Sequence, residues 1–408
     1  MNLQQKGLTA KIEQRACNPI SRTELDRRWA AVRARMSAAK LDALIVQGAN
    51  NLAGTGGHFR WLTGITAAQN SKPQTVIFPR EGLMTLVCHG RFDEDTKLDG
   101  TDPALPGIGR RFGTPSFAAV NYTDGYDAEI IGREINKSGF RNIGLVAANT
   151  VYFGFGARLK ELLGGTQLVD ASDIIDPIKA VKSAEEIALV RRAAAMQDEV
   201  MAKVRNHVRP GMRDFEVMAY GQYQSQLLGS ESGYLLGSSG ALGQPTRLRR
   251  LPDHGREIRR GDIMLFQLEN TGPGGLFVHL ARLFSFGKVP AEIDDAFAKM
   301  VDAQDYTVSL LKPGASCRDI FRDYNNYMRE RGLPAEERLH AHGQGYDYVE
   351  RPLIRSDETM TLAANMNIGV HPNIGNQSMF VTICDNFLIA TDGAAERLHK
   401  TPRTIIEV

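Results

Sequence analysis

The stretch REIRRGDIMLFQLENTGPGGLFVHLARLFSFG, residues 256–287, decides the fold. Two apolar runs flank TGPGG at residues 271–275, a Gly- and Pro-rich segment suited to a chain reversal, so the whole reads as a β-hairpin. The strand period of two puts Ile263, Leu265, Gln267 and Glu269 on one face of the first strand, and Met264, Phe266 and Leu268 on the other. Gln267 and Glu269 therefore point the same way inside an apolar strand. His279 interrupts the second strand in the same manner. A polar group buried without a partner costs roughly 2–7 kcal/mol, so each of these positions predicts a partner or a ligand.

Outward from the hairpin, SRTELDRRWAAVRARMSAAK (21–40) predicts an amphipathic helix and LDALIVQG (41–48) a buried strand. Short apolar runs at QTVIFP, LMTLVC and NIGLVA continue an α/β pattern with a mixed sheet to about residue 170. After Pro177, an N-cap at Ser183 followed by Glu185 and Glu186 starts a long helix running to about His207. The expected division is an extension over 1–20, a first domain over 21–175 and a second over 176–408. Downstream of the hairpin, helices are expected near 291–311 and 317–331. Strands are expected in NMNIGVHPNIG (365–375) and MFVTICDNFLIATDGAAERL (379–398).

Composition narrows the function. Forty-nine Lys plus Arg against 47 Asp plus Glu leave a net charge of +2, too small for the extended positive field of a nucleic-acid or membrane-surface binder, so a small-molecule substrate is expected. The basic run Arg247, Arg249, Arg250, Arg256, Arg259 and Arg260 reads as a solvated loop, with one arginine free to face a carboxylate substrate. Four cysteines, Cys17, Cys88, Cys317 and Cys384, lack a CxxC pair, and no apolar run reaches 18 residues. A cytoplasmic location is the expectation.

Polar residues in or beside apolar strands recur at His279, His342, His371 and Cys384. Three imidazoles and a thiol converging in a cleft leave several chemistries open. Cys384 could be a nucleophile activated by a neighbouring histidine. His279, His342, His371 and Cys384 could hold a single zinc or iron ion in a lyase or oxygenase. The same side chains could fill space and bond one another in a non-catalytic ligand-binding protein. His340 reads as a structural hydrogen-bonder, and His58, His89, His207, His254 and His399 as surface residues.

The order of segments resembles the pita-bread family of creatinase, prolidase, aminopeptidase P, methionine aminopeptidase and ectoine hydrolase over nearly the whole chain. The motifs that carry the resemblance are VKSAEEIALVRRA (181–193), the Gly261-Asp262 hairpin entry, His279-Leu-Ala-Arg282, His342-Gly-Gln-Gly345 with Glu350, His371-Pro372, and Asp385 through Gly393. The resemblance implies a two-domain α/β protein, with a creatinase-like mixed-sheet domain followed by a pita-bread α+β domain. In metal-dependent members, two Asp, one His and two Glu form a two-metal cage. The matching positions here are Gln267, His279, His342, His371 and Cys384, and four of the five depart. The family's second catalytic histidine falls at Val349.

Creatinases and ectoine hydrolases are similar in plan and have also lost the cage. The resemblance to them implies metal-independent hydrolysis of a C–N bond in a small polar, anionic, non-peptide substrate, without a cofactor. It departs from both: Gln267 stands where ectoine hydrolases carry a carboxylate, and Leu242 to Pro245 where creatinases carry a catalytic histidine. On this expectation His342 is the main acid/base, with His279, His371 and Glu269 assisting. Gln267, Arg282, Cys384 and Glu350 contact substrate, and Lys72 anchors the substrate anion from the second subunit of a homodimer.

Overall fold

The computed structural model describes residues 20–48, 57–66, 73–123, 125–250, 253 and 255–408. Lys72, His254 and Cys17 lie outside the described residues. The chain divides into two compact units, Met1–Lys179 and Ala180–Val408.

The first unit is built on a seven-stranded sheet of β1 (Ala43–Gly48), β2 (Gln74–Pro79), β3 (Met84–His89), β4 (Asp95–Lys97), β5 (Ile108–Thr114), β6 (Asn142–Val146) and β7 (Gln167–Asp170). Its order is β4-β5-β3-β2-β1-β6-β7. Parallel pairs (β1 with β6, β3 with β5) and antiparallel pairs (β1 with β2) coexist, the mixed sheet that the sequence predicts. The first helix, Arg22–Ala38, starts where Ser21 accepts a hydrogen bond from the Glu24 backbone N–H. It buries Leu25, Trp29, Val32 and Met36, spaced by three and four residues along one face. Helices Gly125–Ser138 and Phe153–Leu163 cover the sheet with Ile131, Ile135, Phe155 and Leu159.

The second unit opens with helix Ala184–His207. Ser183 and Glu186 close the reciprocal capping box expected at this point. β8 (Gly233–Gly240), β9 (Ile263–Thr271) and β10 (Phe277–Ser285) form an antiparallel sheet extended by β18 (Ile406–Glu407). The β9–β10 turn holds Gly274 and Gly275 at φ of 101° and 81°, which a side chain would strain. Beyond helices Ala291–Leu310 and Cys317–Glu330 comes a second sheet of β11 (Ala341–Gly343), β12 (Glu350–Leu353), β13 (Asn367–Val370), β16 (Asp385–Ile389) and β17 (Ala395–Arg397), ordered β12-β11-β13-β16-β17. A small hairpin of β14 (Asn373–Gly375) and β15 (Phe380–Thr382) precedes β16.

A backbone bridge between Ala281 and Cys384 ties the two sheets together. The helices pack on them with Phe297, Met300 and Tyr324 against Leu265 and Leu283, and with Val200 and Val204 against Phe266 and Phe284. Burying each such side chain stabilises the fold by about 1.5–3 kcal/mol. Among the described residues, no helix is long and apolar enough to cross a membrane.

Candidate active site

β9 and β10 pair in a register that sets Glu269 opposite His279. Glu269 Oε1 lies 3.7 Å from His279 Nδ1, and the Gln267 side-chain amide donates to Glu269 Oε2 at 3.4 Å, so the shared face read from the strand period is real. From the other sheet, His342 on β11 and His371 just after β13 complete a triangle of imidazoles. The ring centroids are 5.2 Å apart for His279–His342, 5.4 Å for His279–His371 and 5.1 Å for His342–His371. Three sequence segments separated by up to 92 residues thus converge on one carboxylate.

The cluster is held from beneath. Gly369 pairs with His342 across β11 and β13, and a Cβ on it would fall 1.9 Å from His279 Nε2. Only a glycine lets the His279 ring lie there. Asn386 on β16 accepts the His279 backbone N–H through Oδ1 at 2.8 Å and donates through Nδ2 to Gln344 Oε1 and Asn367 Oδ1. The backbone N–H of His371 donates to the carbonyl of His340 at 2.8 Å.

Tautomers follow from the partners. His342 Nδ1 sits 2.9 Å from the Gly343 carbonyl, which can only accept, so Nδ1 carries the proton and Nε2 presents a lone pair. Burial, reinforced by the positive charge His279 would carry, pulls the His342 pKa down to about 3. Burial and the His342 and His279 rings hold His371 well below the ordinary histidine range. These two imidazoles are neutral at pH 7.

The other candidates have structural duties. Arg282, expected to touch substrate, is wholly buried: it pairs with Asp385 at 2.8 Å and donates to the carbonyls of Pro402, Ala281, Cys384 and Thr401. No donor geometry is left for a ligand. Glu350 is buried against Lys182 Nζ at 3.2 Å and accepts the Asp347 N–H. Cys384 is also buried, with its thiol 3.8 Å from the His279 carbonyl. Burial and the Asp385 and Glu269 carboxylates push its pKa well up, so the thiol is not an activated thiolate.

His340 forms no hydrogen bond through either ring nitrogen. It stacks on Tyr324 with centroids 3.6 Å apart, correcting the bonded role expected of it. His399, expected at the surface, is buried: Nδ1 accepts the Asn386 N–H at 3.2 Å, so Nε2 donates to Gln197 Oε1 at 3.1 Å. The sequence reasoning passed over Gly369, Asn386 and His399. A glycine inside an apolar strand was the one signal available, since such a position marks close approach of another group.

The sequence signature described as metallopeptidase family M24 matches residues 188–391, half of the chain. The chain belongs to metallopeptidase family M24. The signature of the creatinase/prolidase N-terminal domain matches residues 28–181 of this M24 protein. It is 26% identical over 250 residues to the Mycobacterium tuberculosis protein named "Probable dipeptidase PepE", a match spanning 60% of this chain and 65% of that relative's length. To the Xaa-Pro dipeptidase of Pyrococcus horikoshii it is 23% identical over 274 residues, 66% of this chain and 76% of the relative. The crystal structure of the X-Pro aminopeptidase from Thermotoga maritima superposes with a TM-score of 0.75 at 18% identity, covering 93% of this chain and 99% of that one.

These findings correct four expectations. The relatives are named as peptidases, against an enzyme restricted to non-peptide C–N bonds and against a specific creatinase-like branch. The family is one of metallopeptidases, so neither a metal-independent reaction nor the absence of a cofactor is carried over.

The donor set of this M24 protein nevertheless does not fit a two-ion carboxylate cage. Among the described residues Glu269 is the one carboxylate shown against the cluster, while Gln267 offers an amide and Cys384 a buried thiol. The single-ion set of His279, His342, His371 and Cys384 is not assembled either, since the Cys384 thiol is directed at the His279 carbonyl, 3.8 Å away. Among the described residues, no group of three or more His, Cys, Asp or Glu side chains is placed to hold a metal ion.

Proposed function

We propose that this M24 protein hydrolyses the amide bond of a short peptide at the cluster of Glu269, His279, His342 and His371. The observation that supports this reading above others is the triangle of imidazoles, 5.1–5.4 Å apart, with a single carboxylate 3.7 Å from one ring, on the strands of a metallopeptidase-family domain. Relatives of the chain carry the name dipeptidase, which supports short peptides as the substrate class.

Glu269 faces His279, with Oε1 3.7 Å from Nδ1, and places its negative charge beside that ring. The bare Nε2 of His342 accepts a hydrogen bond from the attacking water. The proton removed from that water settles on the triangle opposite the Glu269 charge and returns to the departing amine. His371, the only ring of the three with appreciable exposure, connects the cluster to solvent. Gln267 fixes the Glu269 carboxylate from the far side.

We further propose a homodimer in which Lys72 of one subunit reaches the substrate of the other, and a cytoplasmic location. The near-neutral charge and the three buried free thiols at Cys88, Cys317 and Cys384 support the location.

The test is a panel of dipeptides, Xaa-Pro members included, incubated with purified protein as obtained and with added divalent manganese or zinc, with amino-acid release read by mass spectrometry. Glu269→Gln and His342→Gln should each lower turnover by about 10²–10⁴-fold. Failure of the whole panel in both conditions, or unchanged turnover in both variants, refutes the reading.

A further inference from the structure

The basic loop that the sequence leaves as solvated has one member whose setting is unlike the rest. Arg256 is committed to Asp262, donating through Nη2 to Oδ1 at 2.9 Å. Among the described residues the Arg250 side chain makes no ion pair or hydrogen bond; its guanidinium lies over the ring of Tyr234, 4.8 Å from the centroid. The backbone leading to it is fixed along β8. Gly237 N–H donates to the Arg249 carbonyl at 3.1 Å, Arg247 N–H donates to Ser238 Oγ at 2.8 Å, and Ser238 Oγ donates to the Arg247 carbonyl at 3.1 Å. The loop thus holds Arg250 at one place beside the sheet.

That place is the flank of the active site. Tyr234 pairs directly with Glu269 across β8 and β9. Tyr348 meets Tyr234 edge to face at 6.0 Å and Phe277 at 6.4 Å, so an aromatic wall runs from Glu269 to the arginine. Burial, the Glu269 charge and a side-chain hydrogen bond with Tyr348 push the Tyr234 phenol pKa up, and the ring stays a neutral platform. A guanidinium resting over such a ring keeps its N–H donors free of protein partners, a setting suited to bidentate capture of a carboxylate.

We infer that Arg250, stacked on Tyr234, forms a carboxylate-binding subsite that takes the free C-terminal carboxylate of the substrate. The inference builds on the short-peptide reading and adds a direction to it. The carboxylate end of the peptide lies at Arg250, on the β8 side of Glu269, and the rest of the peptide runs past Glu269 toward the imidazoles on the β10 side. Arg250 is a binding residue and Tyr234 a positioning residue.

The test reads binding, so it does not depend on turnover. N-acetylglycine and N-acetylglycinamide are titrated into the full-length protein, with affinities measured by calorimetry or ligand-observed NMR. The acid should bind the wild type at least about tenfold more tightly than the amide. Arg250→Ala should erase that preference while leaving amide affinity and melting temperature unchanged, because the side chain is exposed and bonds nothing else. Tyr234→Phe should keep the preference and Tyr234→Leu should weaken it, a split that loss of a general structural prop would not give.

Equal affinities of acid and amide in the wild type, or a preference that survives Arg250→Ala, overturn the inference. An Arg250-dependent preference in a protein that cleaves none of the dipeptides sustains the subsite while refuting the peptidase reading, so the two failures are separable.

Discussion

Replacing Gly369 by alanine places a methyl carbon 1.9 Å from His279 Nε2, 2.6 Å from Cε1 and 2.9 Å from Cδ2. The ring must retreat by about 1.5 Å to reach ordinary contact at 3.4 Å. Its retreat is blocked, because the His279 backbone is clamped by Asn386, its Nδ1 side faces Glu269, and the residue is 1% exposed. Forcing an extra carbon into such a site costs about 1–3 kcal/mol, and at this chain length each kcal/mol lowers the melting temperature by about 2–4 °C or less. A displacement of about 1 Å in a catalytic group lowers turnover by about 10²-fold, so activity should fall much further than stability.

A double-mutant cycle isolates the contact. In His279→Ala the added methyl meets no ring, so Gly369→Ala should cost little on that background, and the coupling read from urea midpoints should be about 1–3 kcal/mol. Additive free energies within about 0.5 kcal/mol, together with wild-type dipeptide turnover in Gly369→Ala, would show that the His279 ring does not rest on Gly369 and would undo the description of the cluster.

Three further outcomes are expected. Stability should fall on acidification from pH 6.5 to 5. His340 and His342 have folded-state pKa values near 3 against an ordinary 6.5, and His399 near 4. Between those limits the unfolded chain takes up protons that the folded chain refuses, and each site adds a slope of up to about 1.4 kcal/mol per pH unit. His340→Phe should flatten the urea-midpoint profile by one such site while keeping the stack on Tyr324; an unaltered slope would count against a neutral buried His340. Arg282→Met should cost about 3–5 kcal/mol by leaving Asp385 buried beside fewer positive charges, and a melting temperature within 2 °C of wild type would contradict that role. Cys384 should resist alkylation at pH 7.5 until the protein is unfolded, whereas rapid native-state modification mapped by mass spectrometry would show an accessible thiol.

The parts of the fold legible in the sequence were those written in local periods. The common face of Gln267 and Glu269, the capping box at Ser183 and the reversal at 271–275 depend on neighbours within a few residues. Register between strands is not local, so the pairing of Glu269 with His279 could be anticipated only as a hairpin and not as a 3.7 Å contact. Arg282 was legible as a buried charge but its partner was not: Asp385 lies 103 residues further along the chain, and an arginine with a carboxylate in the core reads the same as one awaiting a substrate. His399 and His340 looked unremarkable for the same reason, since Gln197 and Tyr324 reach them from distant helices. In the arginine loop the sequence showed six like charges, while the distinction between Arg256 on Asp262 and Arg250 on Tyr234 exists only in three dimensions.

These placements bear on how the site balances its charge. A pocket with one carboxylate tolerates one added proton or one cationic group and little more, because the surrounding imidazoles are held neutral by burial and repel a second positive charge. Two buried cations of this unit are already paired, Arg282 with Asp385 and Lys182 with Glu350. A substrate carrying both an ammonium and a carboxylate meets this balance when its negative end is taken by Arg250, over Tyr234 on the β8 side of Glu269. Removing the Glu269 charge should therefore affect proton transfer and amine recognition together. Glu269→Gln should lower kcat and raise KM for a free dipeptide, yet raise KM much less for the same dipeptide acetylated at its amine. Equal changes in KM for the two substrates would place the amine elsewhere in the pocket and leave Glu269 with the proton alone.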